Sequence, residues 1–273
     1  MFAIEALLVL SLVSGTVDGS AATGLRHENL MSTLWVQHAA EYSATTRTAY
    51  GMATALLDAA LEDTDFTAAT EQLDADYEDL PPAIVLDVDE TVLDNVLFQS
   101  RLILDGETYG SDNWKAWCEE RIATPVPGAL DFLRTADAKG FAIFYVTNRK
   151  ANVETATADN LRALGFPIVD GHVLTRGARP EWTRDKTTRR AHVASTHRIV
   201  MMFGDNLGDF VAVDGLGVPA RDARVAQAND WWGTRWFMLP NPMYGSWEDA
   251  LLDGDRSGTR SEQLERLREW LED

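Results

Sequence analysis

The sequence predicts an α/β fold: a doubly wound, mostly parallel sheet with a small helical cap and an N-terminal helix. Three observations lead there. The runs 83–86, 141–146 and 199–203 are apolar without polar alternation, as strands buried on both faces are. Segments with helical spacing stand between them. Each run gives way to polar or acidic residues, and open α/β sheets bind ligands beyond the carboxyl ends of their strands.

The chain has 273 residues, enough for a substantial core. Asp and Glu number 43 against 24 Lys and Arg, a formal net charge of -19 at pH 7. Such a field repels nucleic acid polymers and anionic membranes. It repels a phosphorylated small molecule too, so an anionic substrate needs local cations or a metal at the site. Cys118 stands alone, which excludes an intrachain disulfide and a cysteine-built zinc site; it reads as a small apolar filler.

Residues 6–13 form a short apolar run followed by small residues, the pattern of a secretory signal over 1–22. This predicts an exported, periplasmic or secreted protein. The run is too short to span a bilayer, and no cysteine follows it to carry a lipid anchor. Residues 23–273 then read as a single domain, with the core beginning near residue 80 and cap elements over 92–125.

Over 27–62 the residues Leu30, Leu34, Trp35, His38, Tyr42, Tyr50, Ala53, Leu57, Ala60 and Leu61 recur at three- and four-residue steps, which predicts one helix with His38 packed. Residues 63–79 are acidic and weakly patterned. Pro81 and Pro82 break any helix and lead into strand 83–86. An irregular segment is expected through Asp112, with a helix beginning at Asn113. Helix 129–139 ends at Gly140, and helix 151–164 ends at Gly165. Strand 141–146 precedes the second of these. A short strand at 173–174, helix 186–195, strand 199–203 and a candidate strand at 236–239 follow. Thr259 and Glu262 form a capping box for a last helix, with Leu264, Leu267 and Leu271 as its apolar stripe.

Four polar groups stand at strand ends or on a helix between them. Asp87 and Asp89 follow the first strand. Thr147, Asn148 and Arg149 follow the second. Lys186 opens a helix, and Gly204 to Asp209 follow the strand 199–203. In a parallel sheet all four face one crevice. The set fits phosphoryl transfer through a carboxylate. A phosphate monoester is a dianion, so a bare carboxylate cannot approach it until a hard divalent ion held by oxygens, here from Asp87 and Asp205, removes the repulsion. One carboxylate of the Asp87/Asp89 pair then attacks phosphorus. The other protonates the departing alkoxide and later takes a proton from water. Thr147 and Lys186 suit the equatorial oxygens.

The ordered motifs Asp-x-Asp-Glu-Thr, Thr-Asn-Arg, Lys and Gly-Asp-Asn-x-x-Asp-Phe resemble those of the haloacid dehalogenase superfamily, and more narrowly the class C acid phosphatases, which include secreted 5′-nucleotidases. The resemblance runs from Trp35-Val36-Gln37 through Asp94-Asn95, Val126-Pro127-Gly128 and Asp185-Lys186 to residues 241–247. It implies Asp87 as nucleophile and Asp89 as acid/base. It implies Mg²⁺ held by Asp87, the backbone carbonyl of Asp89 and Asp205. Thr147 and Lys186, with Asn148 beside them, match phosphate-binding positions, and Asp209 matches an acid that supports the metal or Lys186. Phe98 departs from the pattern, standing where a tyrosine is common. The lipidated N-terminal cysteine of some relatives is also missing.

The implied partner is a small phosphate ester, a nucleoside monophosphate foremost, and an oligomer is compatible with the sequence. Phe98, Trp114, Trp117 and Tyr244 are candidate walls for stacking a base, against the blander reading that each ring packs a core. Two other functions compete: a non-catalytic nucleotide-binding or storage protein on the same scaffold, and a phosphotransferase passing the phosphoryl group to an alcohol. The glycine-rich stretch 215–220 mimics a dinucleotide fingerprint, but Pro219 interrupts it and it opens no first βαβ unit. The five histidines show no metal-ligand spacing.

Overall fold

The structure is a computed structural model and describes residues 27–272. The segment 1–22 read as a signal lies outside the described residues.

The strands are β1 (Pro82–Leu86), β2 (Leu93–Asp94), β3 (Thr124–Pro125), β4 (Ala142–Lys150), β5 (Val173–Arg176), β6 (Arg198–Gly204) and β7 (Trp236–Met238). Five of them form a parallel sheet of order β5-β4-β1-β6-β7, while β2 and β3 pair antiparallel. The continuous apolar runs are the central strands. Alternate residues face opposite ways. Ile84 and Leu86 join one buried cluster with Ile143, Tyr145 and Phe203; Ala83 and Val85 join another with Phe144, Val146 and Met202. Both faces are covered, so polar alternation would have buried unpaired groups.

The chain builds β1, β4 and β5 outward in one direction, then returns to place β6 and β7 on the other side of β1. The strand order therefore reverses between β1 and β6, and a crevice opens there at the carboxyl ends.

The helices are α1 (Leu30–His38), α2 (Ala40–Glu62), α3 (Val96–Asp105), α4 (Ser111–Glu120), α5 (Ala129–Ala138), α6 (Glu154–Leu164), α7 (Thr187–Ala194), α8 (Val218–Gln227), α9 (Ser246–Leu251) and α10 (Arg260–Arg268). The single helix expected over 27–62 is two, broken at Ala39, whose backbone is extended at φ -76 and ψ 129. His38 ends α1 and is exposed, not packed. In α2, Tyr42, Thr46, Tyr50, Ala53, Leu57 and Ala60 form the buried stripe. Tyr50 stacks on Phe203 of β6 with ring centroids 5.2 Å apart, and Phe203 stacks in turn on Phe237 of β7. The N-terminal helix is thus part of the core beneath the crevice.

Four further expectations are corrected. The stretch after Asn95 is the helix α3, because Val96, Phe98, Gln99, Leu102 and Ile103 share a buried face. Gly106, in the left-handed region at φ 68, ends it. Residues 147–150 do not follow β4 but continue it, pairing with β5. The weakly patterned segment after α2 is tied to β6: Ala68 N donates to Ile199 O at 2.6 Å, and Gln72 bonds Ala194, His197 and Ile199. At the last helix the capping box of Thr259 and Glu262 is present. The apolar stripe is not its buried face, however. Gln263 is the buried residue of α10, and Leu271 is 77% exposed.

Candidate active site

Strand register brings the sequence motifs together. Leu86 pairs with Tyr145 on one side and Phe203 on the other, so the residues that follow these three emerge side by side. Asp87 N donates to Phe203 O at 3.0 Å, which extends the ladder one step and fixes the Asp87 backbone at the rim.

Asp87, Asp205 and Asp209 each offer a carboxylate oxygen within 4.8 Å of the others. Lys186, at the start of α7, lies between two of them: Nζ is 2.7 Å from Asp87 Oδ1 and 2.6 Å from Asp209 Oδ1. An ammonium has three N–H donors, and these two close ion pairs leave one for a further acceptor on a buried side chain. Asp209 spends both oxygens, since Oδ2 accepts from Asn206 N at 2.9 Å. Asp205 is steadied by Asn241 Nδ2 at 2.8 Å and, more weakly, by Thr91 Oγ1 at 3.4 Å. At Asp87, both Val88 N and Lys186 fall on Oδ1, which leaves Oδ2 as the open oxygen.

Gly204 permits this crowding. It ends β6, and a Cβ there would overlap the Asp209 side chain. No larger residue leaves room for Asp209 to reach Lys186.

The electrostatics follow from burial. Desolvation pushes the Asp87 carboxyl up to about 7, with Lys186 opposing and Asp209 and Asp89 adding to the rise. Burial first, then Asp209 and Asp87, raise Asp205 well above the usual carboxylate range. Burial alone would lower Lys186, but Asp209 and Asp87 outweigh it and hold the ammonium charged. The trio fits a cation site. The donors are hard oxygens, crowded and desolvated, and oxygens on opposite sides of one Mg²⁺ or Ca²⁺ stand about 4–5 Å apart. Asp87 and Asp205 have oxygens to give; Asp209 is committed to Lys186.

Asp89 turns away from this group. Its Oδ1 accepts from Asn95 Nδ2 at 3.0 Å and Arg149 Nε at 2.9 Å, with Arg149 Nη2 at 2.8 Å. All three fall on one oxygen. Arg149 is buried and also donates to Thr157 Oγ1 at 3.1 Å and Asn95 Oδ1 at 3.2 Å. Thr147 is fully buried, and its Oγ1 accepts from Arg149 N at 3.0 Å. Asn148 Oδ1 accepts from Arg189 Nη2 at 2.8 Å.

The aromatic candidates divide. Phe98 is 3% exposed and packs edge-on against Trp114; Trp117 is 2% exposed and donates Nε1 to Asn95 Oδ1 at 2.8 Å. Neither has a free face for a base. Their expected place in a stacking wall is corrected: Phe98 packs the cap, and Trp117 holds the amide that holds Asp89. Trp114 and Tyr244 are partly exposed, Tyr244 against the cluster of Val36, Tyr42, Val96 and Met243. Cys118 is buried, as a filler should be, and burial pushes its thiol up to about 12.

Sequence reasoning missed Arg189 and Arg190, both buried. Arg189 donates to the carbonyls of Thr147 and Thr183, fastening the β4 end to the loop before Lys186. Arg190 pairs with Glu71 and donates to Asp209 O at 3.1 Å. They stand three and four residues after Lys186, on the same helical face, and that spacing was the available signal.

A parallel α/β sheet with an aspartate just past each of two neighbouring strands, a third in the turn that follows, and a buried lysine between the first and the third defines a phosphoryl-transfer type of site. The chain belongs to the haloacid dehalogenase superfamily, subfamily IIIB (acid phosphatase), whose family model matches residues 21–247. It is similar to a class C acid phosphatase from Bacillus anthracis, at 36% identity and a TM-score of 0.80 over 92% of this chain and 98% of that one. A structure of that enzyme with tungstate bound matches equally. Among plant proteins it is 28% identical over 165 residues to acid phosphatase 1 of Solanum lycopersicum, and 24% identical over 166 residues to the stem 31 kDa glycoprotein of Glycine max. These matches span 57% and 58% of the two plant proteins.

Proposed function

We propose that the protein is a Mg²⁺-dependent phosphomonoesterase that hydrolyses nucleoside monophosphates and other small phosphate esters through an aspartyl phosphate. The observation that carries this reading is Lys186, a buried ammonium with unspent donor capacity, set between the open carboxylate of Asp87 and the anchoring one of Asp209.

Asp87 and Asp205 would hold a divalent ion, which when bound would supply the positive charge that lets a phosphate dianion approach a carboxylate. Lys186 and Thr147 bind the equatorial oxygens. Asp87 Oδ2 attacks phosphorus, and the bond from phosphorus to the ester oxygen breaks. Asp89 gives its proton to the departing alkoxide, using the oxygen that Arg149 and Asn95 leave free. Water then attacks phosphorus, returns a proton to Asp89, and releases phosphate and Asp87. The tungstate complex of the Bacillus anthracis relative supports the reading, because tungstate is a tetrahedral oxyanion like phosphate. The competing storage-protein reading is disfavoured by the retained Asp87. Transfer to an alcohol instead of water differs only in the second acceptor.

Export rests on the residues 1–22 and is part of the same proposal. No helix among the described residues is long and apolar enough to cross a membrane. Phosphate release from a set of nucleoside monophosphates and simple phosphomonoesters, with Mg²⁺ and with a chelator, tests the function. Release that requires Mg²⁺ is expected. Nucleotide binding without release at any pH would favour the storage reading, and phosphorylated glycerol as the main product in added glycerol would favour the phosphotransferase.

A further inference from the structure

We propose that a small cleft beside the reaction centre binds a second anionic group on the substrate, so that the site selects phosphate esters whose leaving group carries a carboxylate or a further phosphate. This rests on the phosphatase reading and names the substrate class within it.

The cleft lies between the cap and the ends of β4 and β5 and has a volume of about 90 Å³. Sites for drug-sized ligands run to roughly 300–1,000 Å³. The cleft therefore suits a compact terminal group, not a nucleobase with its ribose. Its walls carry three cations, Lys115, Lys150 and Arg176, against one carboxylate, Asp112, beside the rings of Tyr109 and Trp114. That balance is the reverse of the chain as a whole, which carries a net charge of -19.

Two of the cations are placed together by the sheet. Lys150 and Arg176 are register partners across β4 and β5. Side chains so paired sit on adjacent strands, roughly 4.8 Å apart. Like charges there repel unless an anion lies between them. Lys115 is already ion-paired to Glu119, whereas Lys150 donates only to the neutral Ser111 Oγ, at 3.2 Å. Among the described residues neither Lys150 nor Arg176 has a carboxylate partner.

Two residues tie the cleft to the site. Asn148, on its wall, follows Thr147. The Arg149 guanidinium that holds Asp89 sits over the Trp114 ring at 5.4 Å. A leaving group whose ester oxygen faces Asp89 extends past Trp114 towards Lys150 and Arg176. An anion at its far end then meets both cations.

The test is equilibrium binding to the Asp87→Asn protein in Mg²⁺, by titration calorimetry, so that no turnover is needed. Two ligand pairs are compared: phenyl phosphate with 4-carboxyphenyl phosphate, and adenosine 5′-monophosphate with adenosine 3′,5′-bisphosphate. The more anionic member should bind roughly tenfold tighter in at least one pair. The pair that gains identifies carboxylate or phosphate as the preferred group. The ratio should fall towards one in Asp87→Asn/Lys150→Gln/Arg176→Gln, and in Asp87→Asn/Lys150→Gln alone it should drop severalfold; Lys150 is exposed, which keeps the second variant foldable. Equal affinities within both pairs, or a preference unchanged in the variants, overturn the inference. Turnover of phenyl phosphate by the unsubstituted protein reports separately on the phosphatase reading.

Discussion

Arg149 and Asp89 meet through a single carboxylate oxygen: Nε and Nη2 of the guanidinium lie 2.9 and 2.8 Å from Oδ1, and Asn95 donates to that same oxygen. Oδ2 is left clear of these donors, as the proposed acid/base role requires. A planar, forked donor is required for this, and an ammonium cannot reproduce it. Arg149→Lys is therefore expected to lower kcat by about 10–100-fold, within the range that positioned acid–base groups contribute, with a smaller change in KM. Steady-state kinetics beside near-UV circular dichroism checks it. A parent-like kcat would show that the placement of Asp89 does not matter.

Gly204→Ala tests the crowding at the end of β6. The added methyl would overlap Asp209, which must then move off Lys186. Activity is expected to fall at least tenfold, while the melting temperature drops by only a few degrees for roughly 1–3 kcal/mol of overpacking. Titration of phosphate or tungstate should show weakened oxyanion binding to match.

The crevice was legible in the sequence because fully buried strands have no polar alternation, and the acids that end them stand out against it. Asp87, Asp205, Asp209 and Lys186 come together as the motif order implied. What stayed hidden was the support. Arg189 and Arg190 lie in a stretch, Thr187-Thr188-Arg189-Arg190, that reads as a solvated helix face, yet both are buried because backbone carbonyls of neighbouring loops turn towards them. The aromatic rings misled for the opposite reason. Phe98 and Trp117 look like binding residues in the sequence, but helix periodicity turns them inward. The helix α8 has no buried residue, so no core face marked it.

Stability should depend on pH and on divalent cations. Burial raises Asp87 from an ordinary carboxylate value to about 7, and Asp205 moves in the same direction. The folded state therefore binds these protons more tightly than the unfolded chain does. The Asp87 contribution is complete below about pH 4 and is lost as pH rises through about 7, at roughly 1.4 kcal/mol for each pH step, and the Asp205 contribution is likewise lost as pH rises. Thermal unfolding in chelator should show a melting temperature that falls between pH 5 and 7.5. Added Mg²⁺ should restore it at pH 7.5, since a cation then takes the place of the protons. A chelated protein as stable at pH 7.5 as at pH 5 would contradict this.

Tyr50 links α2 to the loop that follows β1. Its hydroxyl donates to Thr91 O at 2.7 Å in a fully buried setting. Tyr50→Phe keeps the stack on Phe203 and leaves that carbonyl without a partner. A loss of about 1–3 kcal/mol is expected in denaturant unfolding. Because Thr91 also reaches Asp205, kcat should fall severalfold as well.

Asp87 as the group that bonds to phosphorus is the claim on which the others rest. Turnover of p-nitrophenyl phosphate by Asp87→Asn, in saturating Mg²⁺ and with the fold verified by circular dichroism, tests this most directly. The expected result is a loss of at least about 10³-fold in kcat, with oxyanion binding retained. Hydrolysis by Asp87→Asn at the rate of the unsubstituted protein would contradict it.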